Sequence, residues 1–510
     1  MLKKWPTRYF ILLLAAFAFL NWQCLKSKQA GLPLSVVKVV SQAGINKPEL
    51  MDAIGHYLAP ADSIKKKALY WLIANMDGNY SVYYSIRDSL GKQYYFPPKN
   101  FSNYIDLKHS WDSEEQKLGN LIYQSDSFLV DNRQLKADFL IKNLDQAFKA
   151  YKSFPWSKHY DFHSFCRWIL PYRCANESVV PFREHFLKKF GDSVRKLNST
   201  NTLDVALLLN KLVNREIDYK DSYNKEANVQ HISQLEHAGV GNYYDINIYK
   251  VKVLRSFGIA AALDYSPFLA DSSFGYAWTT VILPDHSEWM LEFNHKVSHL
   301  HALGRLAKVY RRTFEKDTSS LYAIKDLKQT TPPFLGHYYY RDISNQLFHQ
   351  DVKLPFYPKI PYAFLAVFND GEWHPIDWSI PKTQKGTIFH QMGRGVVYLP
   401  VSQKDTKLSQ LGSPFILDSQ GQKKFLTADF SLETTAQISM VSPHQQLQNG
   451  KSYTLYVWKG NWLPLYQLKD RQQGISLSLP ANGLFLLSDG DIDFSERIFV
   501  VDENGTQVFY

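Results

Sequence analysis

Cysteine is the scarcest chemistry in this chain: three residues in 510, at positions 24, 166 and 174. There is no CxxC pair, no HExxH and no histidine–carboxylate cluster at metal-ligand spacing, so no metal or cofactor is expected. Cys166 and Cys174 lie eight residues apart, roughly 12 Å along one continuous helix, which is too far for a disulfide. Pro171 between them can break such a helix, so a bond is possible but disfavoured. Concentrated basic runs are also missing. The formal charge is +10, but Lys and Arg are scattered and none interleaves with a nucleic-acid module, so no nucleic-acid partner is expected. Long apolar runs are missing too. The longest, Phe10–Leu20, is eleven residues, short for a membrane span and of the length of a signal-peptide core. No internal repeat stands out.

What is present describes a folded, multidomain protein. Apolar residues make up 45% and aromatic residues 15%, with 32 Tyr, 32 Phe and 12 Trp, and the length implies two to four domains. Lys3, Lys4 and Arg8 precede the apolar run, so residues 1–24 read as a signal peptide or an N-terminal membrane anchor. Leu20-Asn-Trp-Gln-Cys24 is a degenerate lipoprotein site, with Cys24 the lipidation candidate. Both readings export the body to the periplasm or envelope and hold it at the membrane, by the N-terminal segment or by lipidated Cys24.

Residues 34–225 read as mostly helical. Asn46-Lys-Pro-Glu49 has the form of a capping box, with Leu50, Ile54 and Leu58 following at helical spacing. The segment Asp161-Phe-His-Ser-Phe-Cys166 places His163 and Cys166 at i, i+3, but an apolar neighbourhood makes that cysteine core packing. The central stretch, residues 226–335, carries Gly241-Asn-Tyr-Tyr-Asp245, with Asp245 placed to favour a helix N-terminus. A helical run then stops at Gly258, and strand-like runs Ala260–Tyr265 and Gly275–Leu283 follow. From about Ile343 short strands alternate with turn signals such as Asn369-Asp-Gly371 and Asn504-Gly505. This predicts β-sandwich modules over 343–440 and 441–510. The fold class expected is multidomain α+β: an N-terminal helical region, a papain-like α+β core and C-terminal β-sandwich modules.

The chain resembles the transglutaminase-like superfamily, and more closely the large exported transglutaminase-domain proteins of Bacteroidota. The resemblance rests on Tyr70-Trp-Leu-Ile-Ala-Asn-Met76, Ile169-Leu-Pro-Tyr-Arg173 with Glu177, Leu254-Arg-Ser-Phe-Gly-Ile259, Asp264-Tyr-Ser-Pro267 and Gly275-Tyr-Ala-Trp278. It continues in Phe364-Leu-Ala-Val-Phe368, Trp373-His-Pro-Ile-Asp377, Met392-Gly393, Tyr398-Leu-Pro400 and Glu496-Arg-Ile-Phe499. It implies a transglutaminase-like core over 226–335, with a cysteine at the helix start, a histidine base before a tryptophan, and an orienting acid. Matched residue by residue, those positions hold Tyr243, Tyr276 and Glu292. A phenol of ordinary pKa near ~10 supplies neither a thiolate nor a neutral-pH base. The triad is therefore degenerate, and no intact catalytic residue is expected.

The expectation is a non-catalytic exported protein that binds a peptide, a glycan or an envelope protein, with Tyr243, Tyr244, Tyr276 and Trp278 as binding residues. One alternative is an enzyme with relocated chemistry, either a cysteine hydrolase or transamidase, or a tyrosine-assisted activity like that of polysaccharide lyases, with Tyr243 or Tyr244 near His237. A second alternative is a purely architectural envelope protein, for which Trp373, Trp378, Trp458 and Trp462 are the rings to inspect.

Overall fold

The computed structural model describes residues 31–510 apart from 225, 292–294, 297–304, 327–329, 358, 383–385, 406, 444, 449, 469–474, 491 and 493–495. Residues 1–30, with Cys24, and Glu292 lie outside the described residues. The architecture is mixed, with helices concentrated towards the N-terminus and antiparallel strands towards the C-terminus. Among the described residues no helix is long and apolar enough to cross a membrane.

The first helices, Leu34–Ser41, Lys47–His56 and Ser63–Ala74, pack with Ala137–Ser153 around Leu50, Ile54, Leu69, Leu72 and Leu144. The helical expectation for this region misses one feature, a three-stranded antiparallel sheet. Tyr80–Arg87 pairs with Gln93–Tyr94 on one side and Ile122–Val130 on the other. Its aromatic and β-branched residues suit a pleated surface better than a helix. The expected capping box is also put to another use. The Asn46 amide donates to the carbonyls of Asn132 and Leu135, and Glu49 accepts from the Ala137 N–H, so both residues tie helices together. Around Cys166 the helix Phe162–Ser164 widens into a π-helical turn, Phe165–Ile169, before Pro171.

At the centre, the helix Tyr243–Ser256 is buried from Asp245 to its end. It packs on helices Arg183–Leu197 and Thr202–Val213 and on a six-stranded antiparallel sheet. The sheet contains Ala261–Ser266 and Tyr276–Ile282 side by side, flanked by Tyr310–Arg312 and Glu288–Met290. Gly258 ends the helical run as expected. Its φ of +70° favours glycine, and a Cβ there would come within 2.9 Å of Ser157.

Burial of the whole helix takes its polar residues into the core, where each needs a partner. Lys252 meets Glu177 at 3.0 Å, and Asn247 donates to the Ala277 carbonyl. The Arg255 guanidinium donates to the carbonyls of Trp168, Arg173 and Ala261. Beside them Arg173 is paired with Asp131 through Nε and Nη2, at 2.8 and 2.5 Å, and also donates to the Tyr80, Ala175 and Glu177 carbonyls. Arg173, Asp131, Glu177 and Lys252 are each at most 3% exposed.

The C-terminal half contains a sheet of six strands built on Ala363–Asn369 and Val396–Lys404, then a five-stranded sheet ordered around Tyr453–Trp458 and Phe485–Ser488. Phe364, Ala366, Leu399 and Val401 belong to the same apolar core as the central helix. The core therefore runs across the boundary expected near residue 343.

Removing one partner of a buried ion pair strands the other charge. Arg173→Met is expected to cost ~3–5 kcal/mol in chemical denaturation. Burial alone would raise Glu177, but Lys252, Arg173 and the N–H groups of Cys174 and Ala175 hold it down at about 2, below its ordinary 4.5. A depressed carboxylate stabilises the fold above its unfolded pKa, and that contribution is lost as pH falls from about 4.5 towards 2. The loss should amount to about 3 kcal/mol and be absent from Glu177→Gln in denaturation curves taken across that range.

Candidate functional site

Gly241 sits against Leu235, and the next residue, Asn242, caps the central helix by accepting from the Asp245 N–H. Asp245 stands in the first turn of that helix, as expected, and its carboxylate also accepts from the Gln230 backbone and side-chain N–H groups and so fastens the incoming chain. Burial, only partly offset by those hydrogen bonds, raises Asp245 to about 6.

Tyr243 is therefore the first residue of the helix and projects at its N-terminus. Tyr276 begins the neighbouring strand. Their ring centroids are 4.5 Å apart, and Tyr219 stacks on the other side of Tyr243 at 4.0 Å and 15°. The two positions that the resemblance assigns to nucleophile and base thus face each other, filled by rings. Burial raises Tyr243 above the ordinary phenol range, so it carries no phenolate at neutral pH.

The rings do not seal the site. A cleft of about 380 Å³ lies beside them, lined by Tyr243, Tyr244, Tyr265, Tyr276 and Arg312 among others. Trp278 stands apart from that wall. It is fully buried behind Tyr276, against Met290, Leu306 and Val309, so its binding role is replaced by a packing one. Two further loops complete the cleft. Residues 267–275 form one wall, and the approach is close: a Cβ on Gly275 would lie 2.5 Å from the Pro267 carbonyl oxygen. The tip of the hairpin Ala363–Asn369/Glu372–Ser379 forms another, contributing Asp370 and His374. Its two-residue turn has positive φ at Asp370 (55°) and Gly371 (77°), as a type I′ turn requires. The Asn369 amide donates to the carbonyls of Leu269, Ser272 and Phe274 and holds the two walls together. The turn was legible in Asn-Asp-Gly; its place at the cleft was not.

Neither the family models nor the curated proteins compared with this chain match it.

Arg312 is the cation of the cleft, and sequence reasoning missed it. It donates through Nε to the Tyr244 hydroxyl at 3.0 Å, and its Nη1 lies 2.6 Å from His337 Nε2. Burial, followed by the Arg312 charge, holds His337 well below the usual histidine range, so its ring is neutral. Burial outweighs the effect of Arg312 on Tyr244 and pushes that phenol up to about 12. Tyr244 is a proton donor here, not a base. His237, suggested as its neighbour, is exposed at the end of the preceding helix, Ile232–Ala238.

Both described cysteines are free and buried. Cys166 packs in the helical core, while His163 points to solvent. Cys174 lines a separate cavity of about 260 Å³ that shares Arg312 and Phe334 with the cleft. Burial pushes Cys166 to about 12 and, against the nearby Arg255, Cys174 to about 11. Trp373, Trp458 and Trp462 are half-buried and pack edge to face with one another and with Phe368, with centroids 5.0–5.8 Å apart, between the two C-terminal sheets. Trp378 packs on Tyr362. These rings join sheets and offer no bare stacking platform.

Only the thiolate reacts with alkylating agents. Native Cys174 should therefore react roughly a hundredfold more slowly than an ordinary thiol, and Cys166 more slowly still, with both modified at once after denaturation. Intact-mass measurement before and after adding denaturant checks this.

Proposed function

We propose that this chain is an exported, non-catalytic protein with a transglutaminase-like core, whose cleft has passed from thiol chemistry to ligand binding. The observation that carries the reading is the facing pair Tyr243–Tyr276, at the N-terminus of a buried helix and the start of the adjacent strand. Thiol acyl transfer needs a nucleophile on the helix terminus and a base opposite it. The placement of the pair fits that arrangement, and the residue types remove its chemistry. The open volume beside the rings, with polar groups converging on it, favours a ligand over simple filling of the cleft. The C-terminal strands, read as β-sandwich modules, act in this proposal as a second wall that narrows the cleft.

The relocated cysteine enzyme is disfavoured by the raised thiols of Cys166 and Cys174. The tyrosine-assisted enzyme has one point in its favour, the Arg312–Tyr244 contact, but Tyr244 is shifted away from a base.

Restoring the pair tests the scaffold. In Tyr243→Cys/Tyr276→His the introduced thiol should titrate below the ordinary value of about 8.5, measured by the pH dependence of its alkylation rate. A thiol at or above that value sinks the transglutaminase-like reading. Thermal-shift screening of the unaltered protein with peptide and glycan libraries should give ligands whose shift is lost in Tyr276→Ala. Ligands indifferent to that change bind elsewhere, and turnover by the unaltered protein would remove the non-catalytic reading.

A further inference from the structure

Among the described residues, two buried arginines have no carboxylate at their guanidinium, and other groups satisfy them. Arg183 donates to the carbonyls of Ile169, Leu170 and Arg255 and to the Asn143 side chain. Arg255 has its own set of backbone carbonyls. Both are structural. Arg312 is unlike them. Among the described residues it has no carboxylate and no backbone carbonyl as partner, only the Tyr244 hydroxyl and His337. Its Nη2 has no hydrogen-bond partner among the described residues, and the guanidinium lines the cleft.

A second group points to the same place. Tyr265 also lines the cleft, is 5% exposed, and its hydroxyl has no hydrogen-bond partner among the described residues. A buried hydroxyl without a partner is costly and uncommon. The Arg312 guanidinium lies over the Tyr265 ring, 5.2 Å from its centroid. Because the Tyr244 oxygen accepts from Arg312, its own proton is free to be donated. Arg312 Nη2, the Tyr244 O–H and the Tyr265 O–H therefore form a set of donors with no anion among them. Asp370 is the one carboxylate among the described lining residues, and it belongs to the hairpin tip on the other element.

We propose that the cleft binds an acidic sugar, a uronic-acid residue of a glycan, with its carboxylate on Arg312, Tyr244 and Tyr265 and its ring against the aromatic wall. This rests on reading the cleft as a binding site. A planar carboxylate matches the guanidinium edge and accepts from both phenols. Tyr243 and Tyr276 supply apolar ring surface, and Asn224, whose amide N–H also donates to the Tyr219 hydroxyl, supplies a side-chain amide suited to sugar hydroxyls. An extended peptide fits less well. The strand Ala261–Ser266 pairs with Tyr276–Ile282 on one side and, at Asp264 and Tyr265, with Tyr310–Arg312 on the other, so among the described residues it presents no free edge at Tyr265 for strand addition.

The test is calorimetric titration of the full chain with three probes: oligogalacturonate, its carboxyl-reduced neutral counterpart and a short oligoglutamate. The acidic glycan should bind at least about tenfold more tightly than either other probe. Arg312→Met should abolish that binding. Because that variant also loses the His337 and Tyr244 contacts, Tyr265→Phe is the decisive one. It removes a hydroxyl with no partner in the described protein, so the melting temperature should hold or rise while affinity falls roughly three- to tenfold. Equal binding of the neutral glycan, or unchanged affinity in Tyr265→Phe, overturns the carboxylate assignment and leaves the cleft as a binding site. Tighter binding of oligoglutamate reassigns the cleft to acidic peptides and overturns the sugar. If no probe binds while library ligands sensitive to Tyr276→Ala persist, the uronate proposal alone falls; if those ligands are also missing, the binding reading falls with it.

Discussion

The buried charges around Arg173 set the conditions for everything else in the central region. Asp131 opens the short helix Asp131–Gln134 that follows the strand Ile122–Val130, Arg173 and Glu177 lie in the loop after the π-helical turn, and Lys252 is on the central helix. These four residues come from three separate parts of the chain. Each has lost its water and depends on the others for compensation. Apolar packing would tolerate small slips between these elements, whereas hydrogen-bonded ion pairs tolerate few. The network thereby fixes where the central helix lies, and with it the direction in which its first residues project.

That constraint gives a physical meaning to the sequence motifs. Arg173 and Glu177, Arg255 and Gly258, and Asp264, which pairs with Arg311, are all buried structural groups. They locate the cleft without touching it. Trp278 belongs with them, as the floor beneath Tyr276. The short motifs thus describe the frame of the site more faithfully than its chemistry.

Legibility in the sequence follows the same division. The central helix, its glycine stop and the two following strands could be read from local pattern, because turn residues and periodicity are local signals. So could the turn at Asn369-Asp-Gly371, whereas the facing placement of Tyr243 and Tyr276 was implied only by the resemblance to transglutaminase-like motifs. The sheet containing Tyr80–Arg87 was hidden because its second long strand lies some forty residues on, beyond any local window. Asn46 and Glu49 matched a capping pattern but were drawn into distant contacts, a tertiary override of a local preference. Arg312 could not be recognised at all. Nothing in the order of residues distinguishes an arginine satisfied by carbonyls from one facing an open cleft, since the difference lies wholly in what the fold brings near it.

The three hydrogen bonds from the Asn369 amide span 95 to 100 residues of chain. They also bear on the order of folding. Contacts of such separation carry a large loop-closure cost and form late. The helix bearing Tyr243 can be built from segments synthesised before residue 343, but the wall opposite it must wait for a hairpin made afterwards. Without that hairpin the aromatic-lined groove would lack one side, and a single two-residue turn is what makes it a bounded cleft.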